Sequence, residues 1–147
     1  MKKKLLFLCT GNSCRSQMAE AFAKKYLSDE YDVFSAGIKK SQVNPYAIQT
    51  MLEKNIDIRG YSSKTINELK EKRMHWVVTL CSHAQDSCPI FPGGKLSHHA
   101  FDDPPSLTKN LRAEEEILAV YRRVRDQIEN LILQFKNKSI GDSFESF

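Results

Sequence analysis

Cys9-Thr10-Gly11-Asn12-Ser13-Cys14-Arg15-Ser16 joins the apolar run at residues 5–8 to a segment with helical patterning. A thiol at the end of a buried strand, a Gly-Asn turn and the mouth of a helix direct several backbone N–H groups at one point, an arrangement that favours a tetrahedral anion. Arg15 adds a planar fork of donors matched to two anionic oxygens. Its charge, the loop amides and the helix N-terminus are expected to keep Cys9 as the thiolate, the form that attacks an electrophile. Asn12 tolerates the left-handed backbone that a tight loop needs, and Ser16 can cap backbone donors or hydrogen-bond the sulfur. Each residue taken singly also fits an ordinary strand-to-helix turn with a core thiol. Nucleophile, turn, arginine and cap together point instead to an oxyanion site formed by Thr10, Gly11, Asn12, Ser13, Cys14, Arg15 and Ser16.

A thiolate attacking an oxyanion expels an oxygen poorly unless that oxygen is protonated, so a carboxylic acid is expected nearby. Phe101-Asp102-Asp103-Pro104-Pro105 offers one on a rigid loop, and Pro104 biases Asp103 toward an extended backbone. Asp103 is therefore preferred to Asp102 as the acid, although Asp-Pro is also a common turn dipeptide.

Two further thiols, Cys81 and Cys88, follow the most strand-like run of the chain, residues 76–80. Parallel strands would bring Cys9 and Cys81 to equivalent ends. A helix over residues 82–87 would separate Cys81 from Cys88 by roughly 10 Å, whereas a disulfide tolerates Cα separations of about 4.4 to 6.8 Å. A Cys81–Cys88 bond therefore requires that segment to unwind or loop out. Alternatively, both cysteines are buried core residues, or Cys81, His83 and Cys88 with His98 and His99 bind zinc, without the usual paired Cys-x2-Cys spacing. No metal is expected.

The elements that must position these groups alternate along the 147 residues, which suffice for one domain with a core of its own. Residues 4–8, 31–35 and 76–80 read as strands, with a weaker strand at 98–101. Residues 16–27 form an amphipathic pattern, Asn44-Pro45 reads as a helix cap with proline at the first helical position, a short helix is expected over 65–72, and residues 113–135 have helical apolar spacing. The order implies an α/β domain over residues 1–136, with a central four-stranded parallel sheet and helices on both faces, followed by a polar tail at 137–147. Ligands in such sheets sit beyond the carboxyl ends of the strands.

A formal charge of +4 suits small oxyanions. Lys2, Lys3 and Lys4, and Arg122, Arg123 and Arg125, read as solvated charge, without the aromatic interleaving of a nucleic-acid surface. No apolar stretch approaches the roughly twenty residues that span a bilayer. A cytoplasmic protein with reduced thiols is expected, with no membrane or nucleic-acid partner. It is expected to be a monomer, since no exposed apolar stripe argues for an obligate oligomer.

CTGNSCRSQMAEAF, with Cys-x5-Arg-Ser on Cys9, Arg15 and Ser16, resembles the low-molecular-weight protein tyrosine phosphatases, and Asp103-Pro104 matches the position of their acid. The chain resembles more closely the thioredoxin-coupled arsenate reductases built on that fold. SAGI at 35–38, NPYAI at 44–48, VVTLC at 77–81, CPI at 88–90, FDDP at 101–104 and RVRD at 123–126 extend the likeness nearly to the tail. The resemblance implies that Cys9 attacks arsenate, held by Arg15 and the loop amides, while Asp103 protonates the departing hydroxide. Cys81 would then attack the Cys9 adduct, releasing arsenite and forming Cys9–Cys81. Cys88 would next leave Cys81–Cys88 for thioredoxin to reduce, with no bound cofactor, and Cys14 would stand outside this relay. Phosphate or sulfate would mimic the substrate.

Two departures from the family pattern stand out. His99-Ala100 replaces the His-Trp-Gly often found before Phe-Asp-Asp-Pro. Lys64 stands where relatives often carry an aspartate that, with residues matching Asn12, Glu20 and Ser35, helps to bind potassium, so its ammonium is a candidate substitute for that ion. The rival activity is phosphotyrosine hydrolysis through a Cys9 phosphoenzyme, with water replacing Cys81. A noncatalytic oxyanion sensor is the third reading. Pro105-Ser106, where the phosphatases usually place tyrosines, favours the reductase.

Overall fold

The computed structural model describes residues 2–80 and 94–137. Four strands, β1 (Lys3–Cys9), β2 (Tyr31–Gly37), β3 (Trp76–Thr79) and β4 (Lys95–His98), form one sheet in the order β2-β1-β3-β4. All three pairings are parallel. The register sets Cys9 beside Gly37 and Leu8 beside Thr79, so the loops at the carboxyl ends of β1, β2 and β3 meet at one edge of the sheet.

β1 is apolar without interruption because both of its faces are covered, as in a central parallel strand. Its alternate side chains enter two cores. Leu5 and Phe7, with Val33, Trp76 and Val78, pack against α1 (Arg15–Leu27), α2 (Pro45–Leu52) and the long helix at residues 114–136. Leu6 and Leu8, with Ala36 and Val77, face Leu69, Met74, Phe34 and Ile66. Among the described residues, helices close the first face, while the second is closed by the segment around a single 3-10 turn, Ile66–Glu68.

Local chemistry explains the helix boundaries. Asn44 accepts from the N–H groups of Tyr46 and Ala47 at 2.8 and 3.3 Å, with Pro45 opening α2. A short helix, α3 (Pro104–Thr108), precedes α4 (Glu114–Lys136). Glu114, Glu115 and Glu116 at the start of α4 and Lys136 at its end complement the helix dipole. α1 is buried almost all round from Arg15 to Ala23, rather than along one stripe, because polar residues on it support the neighbouring loop.

The structure revises several expectations. The helix expected over 65–72 is the one 3-10 turn, since the Thr65/Glu68 capping box closes it and Leu69 then turns extended into the core. The weak strand expected at 98–101 is β4, set earlier by its register with β3; as an edge strand it exposes Lys95 and Leu96, which masks its signal. Asp103 lies in the loop before α3, extended as Pro104 requires, and stands at the N-cap position of that helix. Arg125 is buried, unlike the solvated residue expected: its Nη1 donates to the carbonyl of Thr50 at 2.9 Å and to Glu53 Oε1 at 2.8 Å. Cys81, His83, Cys88, the expected helix at 82–87 and tail residues 138–147 lie outside the described residues.

Candidate active site

The loop between β1 and α1 is held by its carbonyls. Thr10 O accepts from Ile38 N and Lys39 N at 2.9 and 3.1 Å, Gly11 O from Ser63 Oγ at 2.9 Å, Asn12 O from Gln17 Nε2 at 2.9 Å and Ser13 O from Asn44 N at 2.8 Å. A trans peptide points its N–H opposite to its C=O. Anchoring these carbonyls to the scaffold therefore turns the N–H groups of Gly11, Asn12, Ser13 and Cys14 away from those anchors. Beside the loop lies a cavity of about 200 Å³ lined by Cys9, Thr10, Gly11, Ser13, Cys14, Arg15, Asp103 and Pro105. A larger cleft of about 440 Å³ lies at the amino ends of β1 and β2, lined by Lys2, Lys3, Asp29, Glu30 and Tyr31, with no cysteine among them.

Asn12 is left-handed, with φ of 49°, and its side chain is the hub beneath the loop. Its Nδ2 donates to Ser16 Oγ at 2.8 Å and Ser35 Oγ at 2.9 Å, while Oδ1 accepts from Gln17 Nε2 and Lys64 N. Ser35 in turn donates to Glu20. Ser16 Oγ accepts from the Asn12 amide and is hydrogen-bonded to Cys9 Sγ, 2.9 Å away, to which its own proton is available.

Arg15 is buried, with Nη1 donating to Phe101 O at 3.1 Å and Nη2 lying 3.3 Å from Asp103 Oδ1. Among the described residues its buried Nε has no hydrogen-bond partner, a donor position that an oxyanion in the cavity would satisfy. The arginine therefore joins Asp103 to the loop. Asp102, by contrast, is exposed and pairs with Arg123 at 3.1 Å, away from the cavity.

Cys14 is buried, and burial, reinforced by Cys9, pushes its thiol well above the usual range. It remains a thiol and packs beside Tyr121, itself pushed up to about 12 mainly by burial. Lys64 Nζ donates to Ser62 O at 2.9 Å and lies 3.9 Å from Glu20 Oε1, whose partner oxygen is held by Lys24 at 2.7 Å. Two ammonium groups thus face this buried carboxylate. His98 and His99 lie at the end of β4, hydrogen-bonded to Thr79 and Ser97 at 2.7 Å each. Among the described residues no group of three or more His, Cys, Asp or Glu side chains is placed to hold a metal ion.

Sequence reading gave no supporting role to Gln17, Ser63, Asn44 or Gly37. Gln17 carried a signal, as a polar residue on a helix face that packing required to be buried. Ser63 and Gly37 carried none, because their partners are far away in the chain.

A family model described as low molecular weight phosphotyrosine protein phosphatase matches residues 4–143. The arsenate reductase of Halalkalibacterium halodurans is 52% identical over 135 residues, covering 91% of this chain and 95% of that protein. A solved structure of an arsenate reductase in its phosphate-binding state superposes with a TM-score of 0.72 at 32% identity, covering 92% of this chain and 97% of the other. An oxidised-state arsenate reductase structure gives 0.74 at 31% identity, with the same coverage.

Proposed function

The chain belongs to the low-molecular-weight phosphotyrosine protein phosphatase family, and we propose that within it this protein is an arsenate reductase that works by a relay of three thiols. The observation that carries the reading is the cavity in which Cys9, Arg15 and Asp103 meet beneath a loop with anchored carbonyls. The relatives named arsenate reductase, and the presence of Cys81 and Cys88, support a reductive outcome.

Arsenate enters as a tetrahedral anion, taken up by the loop N–H groups and the Arg15 guanidinium. The Cys9 thiolate forms an S–As bond, and one oxygen leaves as water with a proton from Asp103. The Cys81 thiolate then attacks Cys9 Sγ. An S–S bond forms, the S–As bond breaks, and its electron pair stays on arsenic, which departs as arsenite. Cys88 attacks Cys81, freeing Cys9 and leaving Cys81–Cys88. Oxidation of two thiols to one disulfide releases the two electrons that As(V) needs to become As(III), and dithiol thioredoxin reduces that disulfide again. The protein itself carries no cofactor.

Arsenic detoxification by a cytoplasmic monomer is the setting proposed. No helix among the described residues is long and apolar enough to cross a membrane. Hydrolysis of phosphotyrosine is the second reading, favoured by the family match, because Cys9, Arg15 and Asp103 suffice for it.

The test is arsenite release with thioredoxin, thioredoxin reductase and NADPH, repeated with glutaredoxin and glutathione, beside hydrolysis of an aryl phosphate. Cys9→Ser is expected to abolish both reactions, and Cys81→Ser and Cys88→Ser to abolish arsenate turnover alone. Unchanged arsenite release in Cys81→Ser would refute the relay. Hydrolysis without any arsenite release by the unaltered protein would favour the phosphatase.

A further inference from the structure

Asp103 occupies the N-cap position of α3, yet its side chain makes no capping bond to the helix backbone. An aspartate there ordinarily accepts from the first-turn N–H groups. Pro104 and Pro105 remove two of those donors, so the helix competes weakly for the carboxylate. The two oxygens instead have separate partners. Oδ1 lies 3.3 Å from Arg15 Nη2, facing the cavity, and Oδ2 accepts from Ser106 Oγ at 2.8 Å, one turn along α3.

We propose that Ser106 is a positioning residue for Asp103, tethering one carboxyl oxygen so that the other stays turned toward the substrate. The inference rests on the reading of Asp103 as the acid and extends it to a residue outside the cavity lining. The Ser106 hydroxyl donates to Oδ2 in both states of the acid, because Oδ2 is the carbonyl oxygen while the proton is on Oδ1 and a carboxylate oxygen once that proton has left. A donor on Oδ2 therefore leaves Oδ1 as the oxygen that carries the proton toward the substrate.

The other groups near Asp103 are Arg15 from α1, Cys9 and Cys14 beside the loop and Tyr121 from α4. Arg15 holds Oδ1 and Ser106 holds Oδ2, so loss of the hydroxyl frees the carboxyl group to turn about its own axis away from the cavity.

The experiment compares Ser106→Ala, Ser106→Thr and Asp103→Asn. It measures single-turnover arsenite formation by the fully reduced protein, and hydrolysis of phenyl phosphate, each over a range of substrate concentration. In Ser106→Ala the rate at saturation is expected to fall roughly fivefold, a fraction of what a positioned acid supplies, with KM little changed, and Ser106→Thr should restore it. A Ser106→Ala rate equal to the unaltered one, a loss that appears in KM instead, or a Thr variant as impaired as Ala overturns the inference. Asp103→Asn separates the two readings: if it keeps the rate, the acid assignment itself has failed. The phenyl phosphate arm keeps the test valid even if no arsenite forms.

Discussion

Replacing Gly37 by alanine should damage the anion site from beneath. A Cβ at this position would stand 2.7 Å from Asn12 N, 2.8 Å from Thr10 O and 2.9 Å from Gly11 C. Ordinary contact begins near 3.4 Å, so Asn12 N would have to retreat by about 0.7 Å. All three atoms are backbone and cannot swing aside. Thr10 O is also held by Ile38 N and Lys39 N, and Gly37 is fixed opposite Cys9 in the sheet, so neither wall yields freely. Overpacking of this kind costs about 1 to 3 kcal/mol, or roughly 3 to 9 °C in melting temperature for a chain of this size. Displacing the loop by most of an ångström should also reduce turnover, on the scale of about a hundredfold per ångström of misplacement. Calorimetric melting with and without phosphate reads the stability and the anion binding, and arsenite release reads the turnover: the Gly37→Ala protein should melt lower, lose the phosphate-induced rise and turn over more slowly. Gly60→Ala is the control, because a Cβ there meets nothing within 4 Å. A Gly37→Ala protein with the unaltered melting temperature and the full phosphate response would refute the reasoning.

Two further predictions concern stability. Arg125 caps the C-terminal carbonyl of Thr50 on α2 and pairs with Glu53, so Arg125→Ala should destabilise the fold by about 2 to 3 kcal/mol. Denaturant unfolding checks this, and a loss below about 0.5 kcal/mol, as at an ordinary surface site, would count against the capping role. Burial, with His98 adding, holds His99 below the usual imidazole range. The unfolded chain therefore takes up that proton first as pH falls through about 6.5. His99 should then withdraw stability until the folded protein is protonated too. Melting temperatures at mildly alkaline and mildly acidic pH should differ less in His99→Gln than in the unaltered protein, and equal differences would sink this account.

The parallel sheet, the loop-to-helix junction and the main helices were legible in the amino-acid order because their causes are local. A two-sided apolar strand, an Asn-Pro cap and a glutamate-led amphipathic helix each announce themselves within a few residues. So did the meeting of Cys9 and Arg15 at one cavity, which rests on their short spacing across a strand-to-helix loop. Elements whose shape depends on distant partners were not legible. Edge strand β4 takes its bounds from β3, the segment after Thr65 turns extended because Leu69 has a core to enter, and the burial of Arg125 follows from an α2 carbonyl far away in sequence. The same division runs through the site. The chain supplied a cysteine, an arginine and two neighbouring aspartates, whereas packing turned Asp103 toward Arg15 and gave Asp102 to Arg123. It also brought Ser63, Gln17 and Asn44 to the loop carbonyls. Residue type fixes which bonds a group can make, but hydrogen bonds are short and directional, so their pairing is settled when the sheet brings separate segments together.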